Sequence, residues 1–63
     1  MKRYIAKYRT GVIGYFQENP ETLLLIKCDS DWNKLHVTGW TLNQLRSMQY
    51  IRHIRQVQSN EQI

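Results

Sequence analysis

The stretch TLNQLRSMQYIRHIRQV, residues 41–57, decides the fold. Read as one helix, it splits its apolar side chains between two stripes. Leu42, Leu45 and Met48 make the first. Tyr50, Ile51, Ile54 and Val57 make the second, pointing roughly the opposite way. A single helix from 42 to 57 is then apolar almost all round, which suits few surface helices. Dividing the segment removes the conflict. Thr41 offers a hydroxyl that caps the first turn, the helix ends near Met48–Gln49, and a last strand begins at Tyr50 or Ile51. An all-helical C-terminal third is the alternative.

Upstream of this segment the patterns are those of strands. Lys34 to Trp40 alternates, with Leu35, Val37 and Gly39 on one face and His36, Thr38 and Trp40 on the other. The apolar run Leu23–Cys28 is bounded by turn residues and reads as a central strand covered on both faces, with a buried helix as the other option. Residues 2–17 read as a β-hairpin. Tyr4, Ala6 and Tyr8 alternate with Arg3, Ile5, Lys7 and Arg9, and Val12 to Phe16 is rich in β-branched and aromatic types. A two-residue loop at Thr10-Gly11 sets Tyr8 against Ile13 and Ala6 against Tyr15. Tyr4, Ala6, Tyr8, Ile13 and Tyr15 then share a face. The expected fold is α+β: an antiparallel sheet of four to five strands with one short helix packed on one face, in the order β-β-β-β-α-β. Residues 1–58 form a single small domain and 59–63 a frayed polar tail.

With 63 residues, the chain has no room for two domains or for a deep substrate cavity. Its longest apolar run, Leu23 to Ile26, falls far short of the roughly 20 residues of a membrane span, so no membrane association is expected. No signal peptide is visible. The single cysteine, Cys28, cannot form an internal disulfide, which favours a reducing, cytoplasmic setting. A domain this small without disulfides or metal often gains stability by association, and a homo-oligomer is expected.

Charge is segregated. Lys and Arg total 9 against 5 Asp and Glu, a net charge of +4, and the acids cluster at Glu18, Glu21, Asp29 and Asp31, in two turns. Residues 1–17 and 33–58 carry none. If the first and last segments meet in the sheet, Arg3, Lys7, Arg9, Arg52 and Arg55 form one cationic patch that attracts phosphates. The tyrosines are more use to the core than to a base platform, because a small core needs its large side chains. The tryptophans sit beside turns, where exposure is favoured, and Trp32 and Trp40 are the candidate aromatic anchors for a partner.

Other chemistry is poorly supported. Asp29, Asp31 and Asn33 match the first ligands of a calcium loop, but Lys34 stands at the glycine position and Trp40 at the glutamate position. Their better role is to bond nearby backbone and shape a turn. Cys28 with His36 and Asp29 or Asp31 has no diagnostic spacing for nucleophilic catalysis, and a cysteine ending an apolar strand is usually a small hydrophobe. His36 and His53 match no zinc spacing. Gly11 and Gly14 sit in a hairpin, where a nucleotide fingerprint does not occur. No enzyme, metal or cofactor is expected.

The expected function is a small non-catalytic protein whose basic face contacts nucleic acid with little sequence specificity. The alternative is a regulator or inhibitor that docks on an acidic protein surface, as a homodimer in one version. In length and motif-poor composition the chain looks like small phage- or mobile-element-type proteins.

Overall fold

The computed structural model describes residues 1–57. The polar tail expected at 59–63 lies outside the described residues. Five antiparallel strands, β1 (Lys2–Tyr8), β2 (Ile13–Glu18), β3 (Leu24–Cys28), β4 (Lys34–Thr41) and β5 (Ile51–Val57), form one sheet in the order β4-β3-β2-β1-β5. One helix, α1 (Leu42–Arg46), carries the chain from the β4 edge to the β5 edge. The α+β architecture and the element order are those read from the sequence. Among the described residues no helix is long and apolar enough to cross a membrane.

The segment 41–57 divides where its capping chemistry allows. The Gln44 N–H donates to the Thr41 hydroxyl at 3.3 Å, and the Thr41 N–H donates to Gln44 Oε1 at 2.8 Å. This reciprocal capping box opens the helix. Leu45 is fully buried, and Trp40, Leu42 and Met48 pack round it. The three-residue spacing of Ile51 and Ile54, which looks helical, has another cause. The register between β1 and β5 shifts between Lys7 and Tyr8, so that Ala6 pairs with Ile54 and Tyr8 with Ile51. The irregularity brings both isoleucines against the same core.

The core lies between the sheet and α1. Tyr4, Ala6, Phe16, Leu25 and Leu45 form it. Tyr4 faces Phe16 across β1 and β2, and Ala6 faces Gly14. The Thr38 hydroxyl donates to the buried Leu25 carbonyl at 2.8 Å and fixes β4 against β3.

The N-terminal hairpin differs from expectation by one residue. Its loop holds three residues, not two. The Tyr8 N–H donates to the Val12 carbonyl and the Gly11 N–H to the Tyr8 carbonyl, both at 2.9 Å. Gly11 sits at φ +91°. That geometry is a type I turn followed by a left-handed residue, the usual three-residue hairpin connection. Because side chains alternate with period two, the extra residue moves Ile13 and Tyr15 to the face opposite Tyr4, Ala6 and Tyr8. Phe16, expected on the other face, becomes the largest fully buried side chain.

The same register places Gly14 on the core side. A Cβ there meets the Tyr8 hydroxyl at 2.8 Å and Phe16 Cε2 at 3.0 Å. Gly14 leaves room for the Tyr8 hydroxyl over β2, and the Tyr8 ring also lies 5.8 Å, centroid to centroid, from that of Tyr50. Gly14→Ala should therefore displace Tyr8 and cost about 1–3 kcal/mol. Chemical denaturation checks this, and an unchanged midpoint would mean that the tyrosine is free to swing aside.

Candidate nucleic-acid interface

The sheet face turned away from α1 is built by the odd-numbered positions of β1 and by His53, Arg55 and Val57 of β5. Antiparallel pairing sets Arg3 beside Val57, Ile5 beside Arg55, and Lys7 beside His53. On the other flank of β1, Arg3 pairs with Gln17, Ile5 with Tyr15 and Lys7 with Ile13. Tyr15 continues the row to Cys28. The two ends of the chain thus bring Arg3, Lys7, Arg55 and His53 onto one face, with Tyr15 among them.

Two further cations named from the sequence sit elsewhere. Arg9 lies in the β1–β2 loop, where its N–H donates to the Tyr50 carbonyl at 2.8 Å. Arg52 falls at the register shift, where it lines a shallow depression with Arg46, Ile51, His53 and Ile54.

The two tryptophans separate as well. Trp40 is half-buried and packs on the core below α1. Adjacency to a turn does not expose it, because the turn is the start of the helix that covers it. Trp32, in the β3–β4 loop, folds back over the open face. Its ring meets Tyr15 edge-on, with centroids 5.4 Å apart and an interplanar angle of 85°. The Arg3 guanidinium carbon lies 5.0 Å from the Trp32 ring centroid, a cation–π geometry.

The loop under Trp32 repeats the bonding of the first hairpin. The Trp32 N–H donates to the Asp29 carbonyl, and the Asp29 N–H to the Asn33 carbonyl, both at 3.0 Å. Position 32 thus corresponds to Gly11, and Trp32 sits at φ +66°. A bulky side chain in the left-handed region is an outlier, because its Cβ crowds the following carbonyl. The Asp29 carboxylate holds the strain. One oxygen accepts from the N–H groups of Asp31 and Asn33, both at 2.9 Å, and the other from Asn33 Nδ2 at 3.2 Å. These are the backbone-shaping bonds expected of an Asp-Asn turn.

The Asn33 backbone N–H, and then its side chain and the Asp31 N–H, hold the Asp29 carboxyl below its ordinary value of 3.8. A group depressed by folding stabilises the native state above its unfolded pKa and loses that effect as pH falls through the folded one. Asp29→Asn should therefore lower the denaturation midpoint at pH 6. The gap from wild type should shrink as pH falls below the ordinary carboxyl value of 3.8 and close once pH has passed below the depressed folded-state pKa. A gap independent of pH would assign it to lost geometry instead of charge.

Between this loop and the β1–β5 pair runs an open groove of about 490 Å3, lined by Arg3, Ile5, Ser30, Asp31, Trp32, Arg55 and Val57. Arg55 from β5 and Trp32 from the β3–β4 loop both line it. Ile5 and Val57 give it an apolar floor.

The catalytic and metal constellations do not assemble. Cys28 faces the groove side of the sheet, whereas His36 pairs with Lys27 and so faces the other side. Burial pushes the Cys28 thiol up, away from thiolate chemistry. Among the described residues no three His, Cys, Asp or Glu side chains are grouped to hold a metal ion.

Sequence reasoning left Tyr15 on the core side, gave Asp31 a turn-forming role and assigned Ile5 none. The hairpin register was the missing step for Tyr15. For Trp32 the signal was present in the matching loops at 8–12 and 29–33, where tryptophan stands in the position glycine holds. Compared with known protein families, with curated proteins and with solved structures, the chain matches none.

Proposed function

We propose that this protein is a non-catalytic binding module that takes single-stranded nucleic acid across the open face of its sheet, in a cytoplasmic setting. One observation carries the reading: Arg3, Lys7 and Arg55 share a face with two aromatics in edge-on contact, Tyr15 and Trp32. Single-strand binders combine a cationic track for the backbone with aromatic rings on which bases stack. The strain at Trp32 supports it too, since a tight turn gains nothing from tryptophan at that position.

The test is a salt titration with short labelled DNA and RNA oligomers. Three phosphate contacts give a slope of log K against log salt of about −2, and Lys7→Gln with Arg55→Gln should bring it to about −1. No binding at about 50 mM salt overturns the reading, because phosphate-driven affinity is greatest there.

Self-association is a second reading, favoured by the β4 edge. Leu35 and Val37 there are 58% and 67% exposed, and β4 has a neighbour on one side only. Antiparallel pairing of two copies about Val37 sets Lys34 against Trp40 and opposes no like charges. Sedimentation at high micromolar concentration tests it, and a clean monomer counts against it. The N-terminal hairpin is interior to the sheet, and the second edge strand is β5 near the C-terminus. Docking on an acidic protein has less support, since Trp40 is committed to the core.

A further inference from the structure

From the groove beside Trp32 we infer a subsite that holds one unstacked base and selects guanine, with Asp31 reading its Watson–Crick edge. The inference rests on the proposed single-strand function and adds a preference to it.

The groove supplies what a splayed base needs. Its volume of about 490 Å3 falls in the range of small-ligand sites, about 300–1,000 Å3. The Arg3 guanidinium lies over one side of the Trp32 ring, and a purine stacks on the outer side of this pair, which lines the groove. Ile5 and Val57 form an apolar floor, and Arg55 supplies a cation for the flanking phosphate. Asp31 is the anionic residue of this lining. A carboxylate among phosphate-attracting arginines works against simple backbone binding, so its presence calls for a base-directed role.

A carboxylate is acceptor-only, with two oxygens side by side. Guanine answers it with two adjacent donors, N1–H and the exocyclic N2 amine. Cytosine places its N4 amine next to the N3 acceptor, and adenine sets its N6 amine between N1 and N7. Thymine and uracil flank N3–H with two carbonyl oxygens. In each of these the second carboxylate oxygen faces another acceptor. Guanine alone satisfies both.

The loop geometry keeps Asp31 in place for this. Its N–H is tied to Asp29 Oδ1, one residue before the strained Trp32. The strain that sets the ring over the sheet therefore also sets Asp31 at the groove. Ser30, on the same loop, lines the groove beside it.

Fluorescence anisotropy with labelled DNA nonamers of the form TTTT-X-TTTT tests the assignment. With X as guanine, binding should be about tenfold tighter than with adenine, cytosine or thymine, the scale of one bidentate base contact. Inosine, which lacks the N2 amine, should lose most of that advantage. Asp31→Asn should abolish the guanine preference while binding the other nonamers at least as tightly, since it removes a negative charge. Equal binding of all nonamers overturns the guanine subsite and leaves the single-strand reading intact. So does a preference that survives in Asp31→Asn. Absence of binding by every nonamer overturns both.

Discussion

Phe16→Ala should leave the protein mostly unfolded at 25 °C. Phe16 is fully buried at the centre of the core, opposite Tyr4 on the neighbouring strand. Truncating a buried phenylalanine costs about 3–5 kcal/mol, the lost transfer of the ring plus the cavity left behind. A chain of 63 residues has about 3–9 kcal/mol of stability in all. The substitution removes a large share of it and, at the lower end of that range, all of it. Two neighbours aggravate the loss. The Lys27 ammonium sits 5.1 Å from the Phe16 ring centroid and loses its aromatic face. Gly14, against Cε2 of the same ring, has no side chain to close the gap. Phe16→Leu keeps most of the volume and should cost far less, about 1–2 kcal/mol. Circular dichroism and urea denaturation of the two variants check the ranking. A folded Phe16→Ala variant with a midpoint near wild type would mean that the core is not where the sheet and α1 place it.

The legible parts of the fold were those set by local chemistry. Thr41 announces a helix start, and alternation in Lys34–Trp40 announces a strand. The Thr41 cap and the strand alternation were readable because capping bonds and strand period depend on residues within a few positions, whereas the part of Gln44 and the inward side of β4 came with the structure. What was not legible depends on pairing between segments. The Tyr8–Val12 loop could hold two residues or three, and that one residue decides whether Tyr15 lies in the core or on the open face. Thr-Gly does not specify the choice. The position of α1 likewise commits Trp40 to the core, although the tryptophan sits beside a turn. The cationic residues illustrate both cases. Arg3, Lys7 and Arg55 share a face because β5 returns beside β1, a consequence of topology. Arg52 departs from them because the register shifts between Lys7 and Tyr8, a local irregularity that no period of two or of 3.6 describes.

The open face is also less stable by design than it needs to be. Nothing in the β3–β4 turn requires a ring at position 32. Glycine holds the corresponding place in the first hairpin, at φ +91° against +66°. Natural proteins carry such strain where the side chain serves something other than folding. The loop is tied down by the Asp29 carboxylate, whose bonds to Asp31 and Asn33 over-determine a conformation that tryptophan disfavours.

Trp32→Gly should then separate folding from binding. Glycine removes the left-handed penalty of about 1–2 kcal/mol. It also removes the contacts of a half-buried ring with Tyr15 and Arg3, a loss of about the same size. The net stability change should be within about 1 kcal/mol of zero. Trp32→Ala loses the same contacts and keeps most of the strain, so it should be the less stable of the two by about 1 kcal/mol. Both should weaken single-strand binding equally, by about 5–150-fold, the worth of one stacked base. Trp32→Phe retains a ring and the strain, and should fall between them and wild type in affinity. Urea denaturation and anisotropy titrations on the three variants separate the two effects. If glycine is less stable than alanine at this position, the backbone there is not strained. If affinity stays within twofold of wild type when the ring is gone, the bases do not stack on it, and the cationic face would have to bind through its charges alone.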